Sequence, residues 1–296
     1  MDASESRFFT AEDGLRLHAR IYPAGNLPGA AQERLPVICL PGLSRNVRDF
    51  HPFARLVAQD PSAPRRVIAL DYRGRGLSDY DPNPENYNIG IECRDVITVC
   101  TALGIARAIF VGTSRGGLIL HIMAALKPDL IAGAVLNDIG PEIEADGLRD
   151  IRDYLSQRSS PATLDDAADG LARIHGAAFP ALSRTDWLDM ADALYAEKAG
   201  RLVTDYDPKL TDQLQAIDFS KPLATLWPQF ELLAKVRLLV VRGDHSRLLS
   251  PETLARMATH ASTVKTVTAP GQGHAPLLHH PDIFSSVRDF LAAFRD

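Results

Sequence analysis

The chain has 296 residues, 46% hydrophobic and 23% charged, the make-up of an ordinary globular protein, which excludes disordered and fibrous classes. Its formal charge of -5, with Lys and Arg scattered, offers no basic face to a phosphate backbone, so nucleic acid is not an expected partner. No apolar run approaches the roughly 20 residues that cross a bilayer, because the densest stretch, Leu118–Leu136, contains His121, Lys127, Pro128 and Asp129, and a membrane is not an expected partner either.

The opening MDASESRFF lacks the basic start and unbroken apolar core of a signal peptide. Cys39, Cys93 and Cys100 are odd in number, have no metal-type spacing and sit in apolar patterns. A cytoplasmic setting is therefore expected, with these thiols as small core residues and no bound metal. The length suits one large α/β domain carrying an insertion, or two modest domains.

In chain order, Phe8–Thr10 and Leu15–Tyr22 flank Asp13-Gly14 as a hairpin, and Val37–Leu40 and Val67–Leu70 follow as short β-branched runs. A helix near Ile91–Leu103, a strand Ala108–Val111, a helix Gly116–Leu126 ending before Pro128, and a strand Ile131–Leu136 come next. From Pro141 to Pro228 the rhythm changes to Ala-, Asp- and Leu-rich helical stretches broken by prolines, with no buried-strand run. Strand Leu238–Val241, a helix from Pro251, strand Val264–Thr268 and a closing helix Asp282–Phe294 then restore it. Strands alternating with helices predict an α/β fold, a mostly parallel twisted sheet with helices on both faces. The core is 1–140 with 229–296, and 141–228 is an inserted helical cap.

Gly112-Thr113-Ser114-Arg115-Gly116 lies directly after the strand AIFV and directly before a helix. A serine in a G-x-S-x-G on such a sharp turn is lifted above the sheet edge, with the glycines allowing close packing, and this context makes Ser114 the candidate nucleophile. With it the chain resembles the α/β-hydrolase superfamily, and the resemblance runs from the Asp13-Gly14 hairpin to the last helix.

The resemblance carries further residues. After the first parallel strand stands Leu40-Pro41-Gly42-Leu43-Ser44, where relatives have a His-Gly segment; Pro41 replaces the histidine, and the backbone N–H groups of Leu43 and Arg115 are implied as the oxyanion hole. Asp71-Tyr72-Arg73-Gly74-Arg75-Gly76-Leu77-Ser78 resembles a bracing loop, its arginines neutralised by the nearby Asp71 and Asp79. Gly271-Gln272-Gly273-His274 follows the strand VKTVT, where the superfamily keeps the histidine base; His279 and His280 are read as flanking the closing helix.

The acid has two candidates. The slot after Leu238–Val241 where most relatives keep it holds Ser246, and Asp244 stands only one residue past Gly243. Asp138, in Asn137-Asp138-Ile139-Gly140-Pro141 at the end of the preceding strand, resembles the acid of a subset of esterases with an Asp-Ile-x-Pro segment, and is preferred with Asp244 as the alternative. The implied activity is a cofactor-free serine esterase acting on a small-molecule ester or similar acyl compound. Tyr154, Trp187, Tyr195, Tyr206 and Trp227 are candidates for an apolar or aromatic pocket. Carbon–carbon bond hydrolysis of a ring-cleavage product shares the motifs, and a ligand-binding receptor on the same scaffold is the reading from another class.

Overall fold

The computed structural model describes residues 4–25, 34–157 and 160–294. β1 (Glu5–Thr10) and β2 (Arg16–Tyr22) form the expected hairpin, and Gly14 in its turn takes a φ of 88°, a conformation glycine adopts without steric cost. There follow β3 (Val37–Leu40), α1 (His51–Ala58), β4 (Val67–Asp71), α2 (Ile89–Ala102), β5 (Ala108–Thr113), α3 (Arg115–Leu126) and β6 (Ile131–Asn137). β3 to β6 read VICL, VIALD, AIFVGT and IAGAVLN, continuously apolar rather than alternating, because both of their faces are covered.

Beyond β6 come α4 (Ala145–Leu155), α5 (Leu164–His175), α6 (Arg184–Leu194), β7 (Tyr195–Lys198), β8 (Arg201–Thr204), α7 (Asp212–Gln215) and α8 (Trp227–Leu233). The chain then returns to the sheet through β9 (Arg237–Gly243), α9 (Pro251–His260), β10 (Val264–Ala269) and α10 (Pro281–Ala292). The sheet has eight strands in the order β1-β2-β4-β3-β5-β6-β9-β10, antiparallel at β1-β2 and β2-β4 and parallel elsewhere.

Each parallel strand feeds two cores. In β3, Ile38 and Leu40 join Ile119, Leu120, Phe230 and Met257 beneath α3, α8 and α9, while Val37 and Cys39 face the other way, toward Phe53, Val57, Ile283 and Val287 of α1 and α10. Full burial of one such side chain is worth roughly 1.5–3 kcal/mol, so each of these layers holds its helices without specific polar contacts. The chain leaves β3 toward β4 on one side and returns at β5 on the other, so the loops after β3 and β5 part and open a crevice at the carboxyl ends of the strands.

Among the described residues, the segment between β6 and α8 adds no strand to this sheet. Its helices share a third cluster in which Ala168, Leu171, Phe179, Trp187 and Tyr195 meet Tyr87. Departing from the all-helical expectation, it carries the β7–β8 hairpin, whose turn residues Ala199 and Gly200 both take positive φ, 52° and 72°. Asn46 Nδ2 donates to Ala193 O (2.8 Å), Arg48 Nη2 to Tyr195 O (3.0 Å) and Gly76 N to Asp205 O (3.0 Å), tying the segment to the loops after β3 and β4. No described helix is long and apolar enough to cross a membrane.

Candidate active site

Ser114 follows β5 and precedes α3 with φ 50° and ψ -112°, a left-handed conformation that a serine adopts only when its surroundings impose it, at about 1–3 kcal/mol. Those surroundings are visible. Ser114 N donates to Asn137 O (3.0 Å), and its carbonyl accepts from Gly117 N (2.9 Å) and Leu118 N (3.2 Å). A Cβ at Gly112 would lie 2.6 Å from the Gly116 carbonyl carbon, so the glycines of the motif let strand and helix touch backbone to backbone.

Asp138 follows β6, also at positive φ (54°), fixed by its N–H on Val241 O at 2.7 Å. Its carboxylate is fully buried and completely bonded: Oδ1 accepts from Gly243 N (2.8 Å), and Oδ2 from Ser246 Oγ (2.6 Å) and His274 Nδ1 (2.7 Å). His274 Nε2 in turn lies 2.9 Å from Ser114 Oγ. Ser246 accepts from Leu248 N and Leu249 N, both at 3.2 Å, so its own proton is directed to Asp138. The serine in the slot after β9 thus serves the carboxylate that arrives from β6. Asp244 points elsewhere: Oδ1 accepts from Gln272 N (3.2 Å) and lies 3.6 Å from His245 Nε2, and it makes no described contact with His274. Standing one residue past Gly243, its side chain turns toward the β10 loop rather than into the crevice.

Gly42 brings the turn after β3 to the serine, since a Cβ placed on it would come 3.9 Å from Ser114 Cβ. Leu43 follows it and Arg115 follows Ser114, and neither backbone N–H bonds another described residue. A buried ionic chain joins these two positions. Arg75 Nε donates to Leu43 O (2.8 Å) and its Nη1 to Glu92 Oε1 (2.7 Å), while Glu92 Oε2 accepts from Arg115 Nε (2.5 Å) and Arg115 Nη2 donates to Tyr87 O (2.8 Å). Burial pushes the Glu92 carboxyl up, but the Arg115 and Arg75 guanidinium groups outweigh it and hold it below its ordinary value.

The arginines after β4 do not take Asp71 and Asp79 as partners. Arg73 is held by Asp95 (2.7 and 2.8 Å), Asp81 (2.5 Å) and Asp13 (2.7 Å), and Arg75 by Glu92. Asp71 lies inside the turn, where it takes His18 Nδ1 (2.7 Å), Val47 N (2.7 Å) and Leu77 N (3.0 Å), and Asp79 meets Arg16 on the surface. The long arginine side chains reach past their sequence neighbours to acids on other elements. Glu92 reads in the sequence as one more charge on a helix, and nothing local marks its role.

Ser114 and His274 open onto a cavity of about 560 Å³ between the strand ends and the segment 141–228. Phe50, Phe53, Leu171, Ile174, Phe179 and Met190 make it apolar; Arg45, Asp49, Tyr154 and His175 give it a polar side. Of the aromatic candidates only Tyr154 lines it. Trp187 is 6% exposed and packs edge-on against Phe179 in the third cluster, with Tyr195 and Tyr206 in the same cluster. Trp227 lies outside the cavity on α8, donating to Glu142 Oε2 (3.0 Å) beneath the Arg256 guanidinium. Trp187 and Trp227 stand on helices, Tyr195 opens β7 and Tyr206 follows β8, and packing against neighbouring elements takes these rings rather than the cavity. His279, expected only to flank α10, lines the cavity, while His280 is the N-cap residue of α10.

Residues 36–281 match the family model of the alpha/beta hydrolase fold. The chain is 39% identical to an alpha/beta hydrolase from Novosphingobium aromaticivorans whose crystal structure superposes with a TM-score of 0.89, covering 99% of this chain and 100% of that one. It is 30% identical over 262 residues, 83% of this chain and 84% of the relative, to the 3-hydroxybutyrate-oligomer hydrolase of Cupriavidus necator. The 2-(acetamidomethylene)succinate hydrolase of Mesorhizobium japonicum is 27% identical over 77% of this chain and 78% of its own. The chain belongs to the alpha/beta hydrolase fold family, and it is a hydrolase.

Proposed function

We propose that the protein is a serine hydrolase of carboxylic esters working through Ser114, His274 and Asp138. The observation that carries this reading is the unbroken hydrogen-bonded line from Ser114 Oγ through both ring nitrogens of His274 to the buried Asp138 carboxylate, at 2.9 and 2.7 Å. Ser114 Oγ attacks the acyl carbonyl and passes its proton to His274 Nε2, while Asp138 holds Nδ1–H and so keeps Nε2 free as the acceptor. The tetrahedral oxyanion takes hydrogen bonds from the Leu43 and Arg115 N–H groups, each such donor being worth on the order of a hundredfold in rate. Collapse breaks the bond to the alkoxy oxygen, which leaves as the alcohol with the proton from His274. Water, deprotonated by the same imidazole, then cleaves the acyl-enzyme to free acid and serine. The segment 141–228 acts as a cap that sets specificity.

Support for an ester comes from the nearly full-length likeness to the Cupriavidus necator hydrolase, which acts on 3-hydroxybutyrate oligomers. Ser114 replaces the carboxylate that a dehalogenase or epoxide-opening enzyme requires. The test is turnover of p-nitrophenyl butyrate with substrate in large excess over enzyme, run beside a ring-cleavage dienoate. Many turnovers of the ester alone are expected; turnover of the dienoate alone would transfer the reading to carbon–carbon hydrolysis, and less than one turnover of either would make the chain a receptor.

A further inference from the structure

The polar side of the cavity carries hydrogen-bonding groups that no described residue partners. Arg45 and Ser114 flank Gly42, with Arg45 Cγ at 3.3 Å and Ser114 Cβ at 3.9 Å from the place of a Gly42 Cβ, so the guanidinium stem stands beside the nucleophile. Arg45 gives Nε and Nη2 to Asp49 (2.6 and 2.5 Å), which leaves Nη1 without a described partner. The Tyr154 hydroxyl and the His175 ring nitrogens likewise have none, and the two rings meet edge to face at 4.6 Å. All of these side chains line the cavity. These groups are partly exposed to the cavity, so water or a ligand meets their hydrogen bonds.

Charge and protonation define the ligand. Burial and the nearby Arg45 push His175 down to about 4, and burial pushes Tyr154 up to about 12, so at neutral pH the imidazole is uncharged with one lone-pair nitrogen and the phenol keeps its proton. Arg45 is neutralised by Asp49, and of the other charges that line the cavity Arg247 is paired with Asp150 at 2.6 Å and Asp153 with Arg152 at 3.1 Å. A carboxylate would enter an environment with no spare cation, and an alkyl chain would leave the donors and the acceptor empty. A hydroxyl suits both, accepting from Tyr154 or Arg45 and donating to His175.

We propose that Arg45, Tyr154 and His175 form a specificity site for an uncharged hydroxyl on the acyl chain, so that hydroxyacyl esters are preferred to alkyl and carboxyalkyl esters. The proposal rests on the serine-esterase reading and specifies its substrate.

The test compares kcat/KM for p-nitrophenyl 3-hydroxybutyrate, butyrate and hemisuccinate, with stoichiometric organophosphonate labelling of Ser114 as the check on the serine. The hydroxyacyl ester is expected to exceed butyrate by roughly tenfold or more, with hemisuccinate slowest. Tyr154→Phe and His175→Leu should each depress the hydroxyacyl ester at least roughly fivefold more than butyrate. Equal rates on the first two esters in the wild type, or equal losses on both in labelled, folded variants, would overturn the site and leave the esterase intact. Absence of Ser114 labelling would instead strike the serine-hydrolase reading.

Discussion

The Ser246 hydroxyl lies 2.6 Å from Asp138 Oδ2, the same oxygen that holds His274 Nδ1. Because Ser246 accepts from Leu248 N and Leu249 N, its rotor is fixed and its proton has one destination. Ser246→Ala removes a donor to a charged group and orphans two buried amides. A fall in kcat of roughly tenfold, about 1.4 kcal/mol in barrier, is expected with KM moving less. Steady-state kinetics on p-nitrophenyl butyrate measure it, and an unchanged kcat would show that Asp138 orients His274 without this support.

The two aspartates at the strand ends predict opposite outcomes. Asp138→Asn preserves size but exchanges the acceptor on His274 Nδ1 for a group that can stabilise the wrong tautomer, a change that costs a serine protease about 10⁴ in kcat. A loss of that order is expected here. Asp244→Asn should stay within roughly tenfold of wild type, since its contacts are Gln272 N and His245. Circular dichroism and melting of both variants exclude unfolding as the cause, and the reverse ranking in folded proteins would move the acid to Asp244.

Glu92 connects the two proposed oxyanion donors through Arg75 and Arg115 while touching neither substrate nor Ser114. Glu92→Gln keeps the shape but breaks at least one of the two charge-assisted bonds. A loss of kcat between roughly tenfold and a hundredfold is expected, with a parallel loss of affinity for a boronic acid that forms a tetrahedral adduct, and with KM within about threefold. A lowered melting temperature with kcat per folded enzyme intact would reduce Glu92 to a structural ion pair.

His121 ties stability to acidity. It is fully buried on α3 with Nδ1 on Gly117 O at 2.7 Å, Nε2 has no partner, and burial pushes it down to about 4. With its folded-state value below its unfolded value of 6.5, the unfolded chain takes up the proton first. Its contribution is therefore complete above about pH 6.5 and is lost as pH falls toward about 4, by up to about 1.4 kcal/mol per pH unit. Urea unfolding at pH 7 and pH 5 should give a smaller pH dependence in His121→Phe than in wild type, and equal dependence would contradict the assignment.

The sheet and the line of site loops were legible because each is written locally. Ser114 sits in a strand–turn–helix signature, His274 in a Gly-His pair after a strand, and Asp138 at a strand end aligned with both. The short helix α1, HPFARLVA with Pro52 in its first turn, is not legible in the sequence because so few residues carry little periodic signal. The β7–β8 hairpin is not legible because YAEK and RLVT are mostly only partly buried and lack the alternation of a half-buried strand. Partners separated widely in the chain, such as Arg73 with Asp13 and Arg75 with Glu92, follow from tertiary packing that no local pattern encodes. The side of the cavity on which Tyr154 falls and Trp187 does not was illegible for the same reason.

In the proposed mechanism Ser114 is activated by His274. Incubation with a fluorophosphonate followed by peptide mapping measures it directly, because only a serine with a neighbouring base reacts at a useful rate. One adduct per chain is expected, on Ser114, abolished in Ser114→Ala and slowed at least roughly a hundredfold in His274→Ala. An adduct on another residue, or undiminished labelling of folded Ser114→Ala, would contradict it.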